Sequence, residues 1–143
     1  TINEISKHTD EDIMIRPHPR FTFRFNKDTL KNINVKNKVF FSENLNNFNV
    51  TNGGEDIYKD FKNARVAISY SSNSLTEAIC EGIPSIALSK TSHTWPVAFH
   101  TLEVLKHKEL PEFDRTQWLN DSAYTQWKMS EINSGKVHKR LLA

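Results

Sequence analysis

The sequence predicts an α/β domain, with a Rossmann-like parallel sheet carrying helices on both faces. Three observations lead there. Four short apolar runs lack period-two alternation, helical patterns separate them, and turn or capping residues punctuate the junctions. Continuous apolar runs suit strands covered on both faces, as in a parallel sheet.

In chain order, Ile2 and Ile5 suit the apolar side of a short helix ending near Thr9. Asp12-Ile-Met-Ile-Arg16 reads as the first strand, stopped by Pro17. A short helix around Lys27–Ile33 leads to the second strand, Lys38-Val-Phe-Phe-Ser42. The chain contains fourteen Asn, many between Asn26 and Asn52, which marks that stretch as short elements and connections. After the turn at Asn52-Gly53-Gly54, residues 55–64 form a helix with Ile57 and Phe61 four apart. Val66-Ala-Ile-Ser-Tyr70 is the third strand. Ser74–Glu81 places Leu75, Ala78 and Ile79 on one helical face, with Gly82 as its stop. Ser85-Ile-Ala-Leu-Ser89 is the fourth strand. Pro96 opens a helix through Val97, Leu102 and Leu105. One long helix from about Arg115 to Asn133 buries Trp118, Leu119, Ala123 and Trp127, and Gly135 ends it.

Composition narrows the function classes. The chain has 143 residues, enough for one domain, with 19 Lys+Arg against 17 Asp+Glu and a net charge of +2. No basic block marks a nucleic-acid partner. No apolar run reaches a membrane span, and no signal peptide opens the chain. The lone Cys80 excludes an internal disulfide and fits a reducing, cytoplasmic setting; its apolar neighbours predict a buried, inert thiol. The sequence begins at Thr1 without Met and reads as a piece of a larger protein.

In open α/β sheets ligands bind beyond the carboxyl ends of the strands. The first strand runs into Arg16-Pro17-His18-Pro19-Arg20, where two prolines fix the backbone around His18 and two guanidinium groups suit phosphate. The same segment also fits a rigid surface turn with solvated arginines. The third strand runs into Ser71-Ser72-Asn73-Ser74, directly before a helix whose N-terminus offers unpaired N–H donors. There Ser74 and Glu77 match the S-x-x-E capping box and are expected to close the helix on each other, leaving Ser71 and Ser72 free. His93, His100 and His107 recur every seven residues, about 10 Å apart along a helix, too far for one metal. No metal site is expected. Trp118 and Trp127 fit core packing; Trp95 falls in the loop after the fourth strand.

The stretch from Ile57 to Leu88 resembles the donor-binding, C-terminal half of GT-B glycosyltransferases, with a Ser-rich turn, a helix carrying Glu77-Ala78, then Gly82-Ile83-Pro84. Arg16-Pro17-His18-Pro19 resembles the His-Pro motif of bacterial sialyltransferases and capsule-polymer transferases, and the matching segment of teichoic-acid-type glycerophosphotransferases. The tail, Gln117–Asn120 and Ala123–Trp127 through Gly135, is similar to the end of some bacterial and phage polysaccharide transferases. The resemblance implies a nucleotide-sugar donor (CMP-, CDP- or UDP-linked) and no other cofactor. It implies that His18 contacts the nucleotide phosphate or assists its departure, making it the catalytic candidate. Ser71, Ser72 and Ser74 would donate to that phosphate, Arg16 and Arg20 would assist, and Glu77 would bind a ribose or sugar hydroxyl. No Asp-x-Asp metal motif is present. The base for an acceptor hydroxyl would come from an N-terminal domain, so little transfer is expected from these residues alone. Two readings compete: a non-catalytic binding or assembly domain, self-associating through an exposed apolar face, and an epimerase-like fragment, whose usual Ser-Gly-Gly turn is absent at Ser71-Ser72-Asn73.

Overall fold

The computed structural model describes residues 1–18, 27–43 and 55–142. Arg20 and the Asn52–Gly54 turn lie outside these residues. The chain divides into two compact units, Thr1–Glu112 and Phe113–Ala143.

The first unit is mixed α/β, and its elements alternate as the sequence predicts. They are α1 (Ile2–Ser6), β1 (Ile13–Ile15), α2 (Lys27–Lys31), β2 (Val39–Phe41), α3 (Glu55–Phe61), β3 (Ala67–Ser69), α4 (Asn73–Cys80) and β4 (Ser85–Ala87). All pairing between these strands is parallel, in two two-stranded sheets. β1 pairs with β2 in the register Ile13↔Val39, and β3 pairs with β4 in the register Ala67↔Ser85. The Asn37 side chain donates to the carbonyls of Thr9 and Glu11 at 2.9 and 2.7 Å, tying the entry of β1 to that of β2.

One core serves both sheets. Ile5 of α1, Ile13 of β1, Ile86 of β4 and Leu105 form a buried cluster, with Val39, Val66, Ile68 and Phe99 packed against it. Only β4 is buried along its whole length; β2 and β3 are half-buried, so double-sided cover is limited to β4. Beyond β4 the expected helix from Pro96 does not form. Two single 3-10 turns, Trp95–Val97 and Leu102–Lys106, replace it. Between them Phe99 returns alongside β4, donating to the Ser85 carbonyl at 2.8 Å and accepting from the Ala87 amide at 2.9 Å. Those ladder bonds hold Phe99 extended and divide the helical pattern. His100 and His107 therefore share no helix.

α4 closes as expected. Glu81 is its C-cap, Gly82 takes φ +87°, the Gly82 amide donates to the Ile79 carbonyl and the Ile83 amide to that of Ala78. This is the Schellman pattern, which needs a left-handed residue at the Gly82 position. Cys80, however, is exposed. The buried face of α4 is Leu75, Ala78 and Ile79, and one further residue rotates about 100° away from it.

The second unit is helical: α5 (Thr116–Thr125), α6 (Met129–Asn133) and α7 (Lys136–Leu141). The single long helix expected from Arg115 to Asn133 is broken at Gln126–Lys128, whose caps are extended. Glu131 accepts from the Lys128 amide at 3.1 Å, which starts a new helix instead of continuing the old one. Gly135, at φ +72°, ends α6 and opens α7. Trp118 is buried as expected. Ala123 is exposed, and Ser122 is buried in its place. Trp127 is half-buried, and the Arg140 guanidinium lies over the Tyr124 ring at 3.7 Å and the Trp127 ring at 5.2 Å.

Candidate functional site

The carboxyl ends of β1, β2 and β3 carry the groups of chemical interest. Arg16 follows β1 directly, and its guanidinium forms an ion pair with Asp60 of α3. Ser42, immediately after β2, donates to the same carboxylate at 2.7 and 2.9 Å. Arg16 Nη1 reaches Ser42 Oγ at 3.4 Å. The Asp60 side chain is only 4% exposed and that of Arg16 18%. A charge this buried needs partners, and among the described residues Arg16 and Ser42 supply them. Pro17 is buried and His18 exposed; Arg16, held by Asp60, is not the solvated side chain of a plain surface turn.

Asp60 and Ser42 are absent from the sequence-based site, although both left a signal. Asp60 stands three residues after Ile57, on the apolar face of its helix, where a carboxylate must find a cation or donors. Ser42 occupies the strand-end position that drew attention to the segments after the first and third strands.

On the β3 side, Ser71 and Ser72 are exposed, and the helix start differs from the expected capping box. Ser72 is the N-cap of α4: its hydroxyl accepts from the Ser74 amide at 3.3 Å and meets the Ser74 hydroxyl at 2.5 Å. The Ser72 amide donates to Ser69 Oγ at 3.2 Å. The reason is local. Ser72 is extended, so the helix begins one residue before Ser74 and carries Glu77 out of the third helical position. Ser71, Ser72 and Ser74 thus gather at the first turn of an eight-residue helix.

Glu77 is half-buried one turn further on. Burial raises its carboxyl above the ordinary value of 4.5, and the positive charge of Arg16 partly opposes that rise. With its folded value raised, Glu77 contributes stability below the unfolded value that is lost as pH rises through the folded one. Glu77→Gln should accordingly raise Tm at pH 7, and thermal melts at descending pH should show the gain vanishing below about 4.5.

His93 is exposed in the loop after β4. Trp95 stacks face to face on His100, centroids 3.5 Å apart and planes 2° from parallel, while His100 Nε2 donates to the Trp95 carbonyl at 2.9 Å. Among the described residues no group of three or more His, Cys, Asp or Glu side chains is arranged to hold a metal ion. Nor is any helix among them long and apolar enough to cross a membrane. Arg16, His18, Ser71, Ser72, Ser74 and Glu77 are thus all placed at the carboxyl ends of parallel strands or on the helix that follows. No family model, no characterised protein and no solved structure matches the chain, so the functional reading rests on this geometry and on the sequence motifs.

Proposed function

We propose that this chain is the donor-binding part of a GT-B-like glycosyltransferase, with a Rossmann-like sheet that holds a nucleotide-sugar through its phosphate. The observation that carries the reading is that Arg16, just after β1, and Ser71, Ser72 and Ser74, around the start of α4 after β3, all stand at the carboxyl ends of parallel-paired strands. Two motifs some sixty residues apart in sequence, each identified for its own chemistry, each follow the carboxyl end of a strand in a parallel pair. Strand ends of that kind are where α/β sheets bind ligands.

In this reading the first turn of α4 supplies amides and the Ser71, Ser72 and Ser74 hydroxyls to the phosphate, assisted by the helix dipole. His18, set by its neighbouring prolines, faces the same oxygen atoms and stabilises the charge that builds on the leaving nucleotide. Arg16, oriented by its ion pair with Asp60, offers its remaining guanidinium N–H groups as fixed donors. Glu77 accepts from a ribose or sugar hydroxyl. Arg20 belongs to the same proposal on sequence grounds. An acceptor base is assigned to a separate N-terminal domain, so transfer by residues 1–143 alone should be negligible. Surface polysaccharide is the product class favoured by the sequence resemblance.

Isothermal calorimetry with CMP, CDP, UDP and their sugars tests the reading. One nucleotide should bind, and His18→Ala should weaken it by about tenfold, roughly the loss of one charge-assisted hydrogen bond. Ser72→Ala should weaken it similarly, since it removes a phosphate donor and the helix cap together. Absence of binding by every nucleotide would sink the proposal and favour a non-catalytic assembly domain.

A further inference from the structure

The first unit holds two parallel strand pairs whose outer edges line one cavity. β1 bonds to β2 through alternate residues: the Ile13 amide donates to Lys38, and the Ile15 carbonyl accepts from Ser42. Alternation in a parallel ladder turns the Met14 N–H and C=O away from β2. β3 repeats the arrangement, with Ala67 and Ser69 bonded toward β4 and Ile68 turned away. Met14 and Ile68 both line a cavity of about 700 Å³ inside this unit. Ile2 and Ile5 of α1 and Ala64, just beyond α3, line it too, so its walls are two strand edges and two helical segments. Among the described residues no strand lies between β1 and β3.

Glu11, ahead of β1, pairs with Arg65, ahead of β3, at 3.4 Å, so the two strands start at the same end. Two such edges with outward-facing amides and carbonyls, bordering a slot of mixed apolar and charged lining, are satisfied together by one kind of occupant. An extended strand pairs with both edges at once and puts its side chains against the helices. A small molecule or a packed helix would leave at least one row of backbone groups unmet. Connectivity also selects the strand's source. Parallel neighbours are joined through a helical crossover, and α1 enters β1 from the position such a crossover needs, its apolar residues on the slot.

We infer that the slot between β1 and β3 receives a fifth, parallel, apolar strand of the same polypeptide, joined to Thr1 by a backward extension of α1. The strand order then becomes β2, β1, the added strand, β3, β4. In chain order that is third, second, first, fourth, fifth, the doubly wound arrangement. The inference deepens the Rossmann-like reading of the sheet and is independent of what the strand ends bind.

Amide hydrogen exchange on two chains tests it: residues 1–143, and the same residues preceded by the upstream codons of their gene. In residues 1–143 the Met14 and Ile68 amides should exchange much faster than those of Ile13 and Ala67. In the longer chain they should slow to the level of Ile13 and Ala67. Met14→Pro removes only the outward N–H, a change tolerated at strand edges. It should leave the Tm of residues 1–143 nearly unchanged and lower that of the longer chain by about 2–4 °C. Slow exchange of Met14 and Ile68 in residues 1–143 would overturn the inference. So would equal exchange in both chains, an equal effect of Met14→Pro on both, or a gene with no apolar strand upstream. Calorimetry reads the donor proposal separately, so failure of one leaves the other standing.

Discussion

Replacing Arg16 with Met should destabilise the first unit by about 3 kcal/mol, because it takes the paired cation from a buried carboxylate. Asp60 is nearly inaccessible and depends on Arg16 and Ser42 for compensation. Removing one partner of such a pair typically costs about 3–5 kcal/mol. The lower figure fits here, because Ser42 remains and Arg16 is partly reached by solvent. The sharper test is the double variant Arg16→Met/Asp60→Leu. Replacing both charges leaves no buried carboxylate to compensate, so it should recover most of the loss, leaving a deficit of about 1 kcal/mol for the Ser42 hydroxyl. Urea denaturation of the wild type, both single variants and the pair would settle it. An Arg16→Met loss under about 1 kcal/mol would mean that the ion pair is a surface contact.

Leu75→Ala should cost as much or more, about 3 kcal/mol, by a different mechanism. Leu75 is 2% exposed, with Ala78 and Ile79 beside it at 0% and 1%. Large-to-small changes in cores typically cost about 2–5 kcal/mol, most where neighbours cannot collapse into the space. α4 has little freedom to do so, since Ser72 caps one end and the Gly82 reversal holds the other. Leu75→Met keeps the volume and should cost less than about 1.5 kcal/mol. Denaturant titration gives the stabilities. A Leu75→Ala loss similar to that of Leu75→Met would show the helix to be loosely seated.

The parts of the fold that are local in origin were legible in the sequence. Four apolar runs became four strands, each found inside the predicted range, because continuous hydrophobicity bounded by Pro, Gly or Ser is a short-range signal. Gly82 was legible for the same reason: a left-handed helix stop has a nearly unique residue preference. What failed depended on partners distant in sequence. Arg16 was read for its possible ligand, while Ser42 and Asp60, 26 and 44 residues away, take its guanidinium in the fold. Phe99 was assigned to a helical pattern, and the edge of β4 draws it into a bridge. Two errors turned on one or two residues of phase. The helix began at Asn73 under a Ser72 cap, which reassigned Glu77 from capping to a half-buried site position. Cys80 fell one step beyond the buried face. In the tail, Glu131 competed with helix continuation at Lys128, and periodicity counts have no term for that contest.

The stacked pair Trp95 and His100 has an optical consequence. Trp118 and Trp127 both belong to the second unit, so Trp95 is the first unit's only indole. It follows β4, whose carboxyl end points the same way as that of β3 because the two strands are parallel. An imidazole in face-to-face contact damps indole emission. The loop after β4 therefore carries its own fluorophore and quencher, held a few ångströms apart. In a chain with Trp118 and Trp127 replaced by Phe, a rise in emission reports separation of that pair alone, without an attached label.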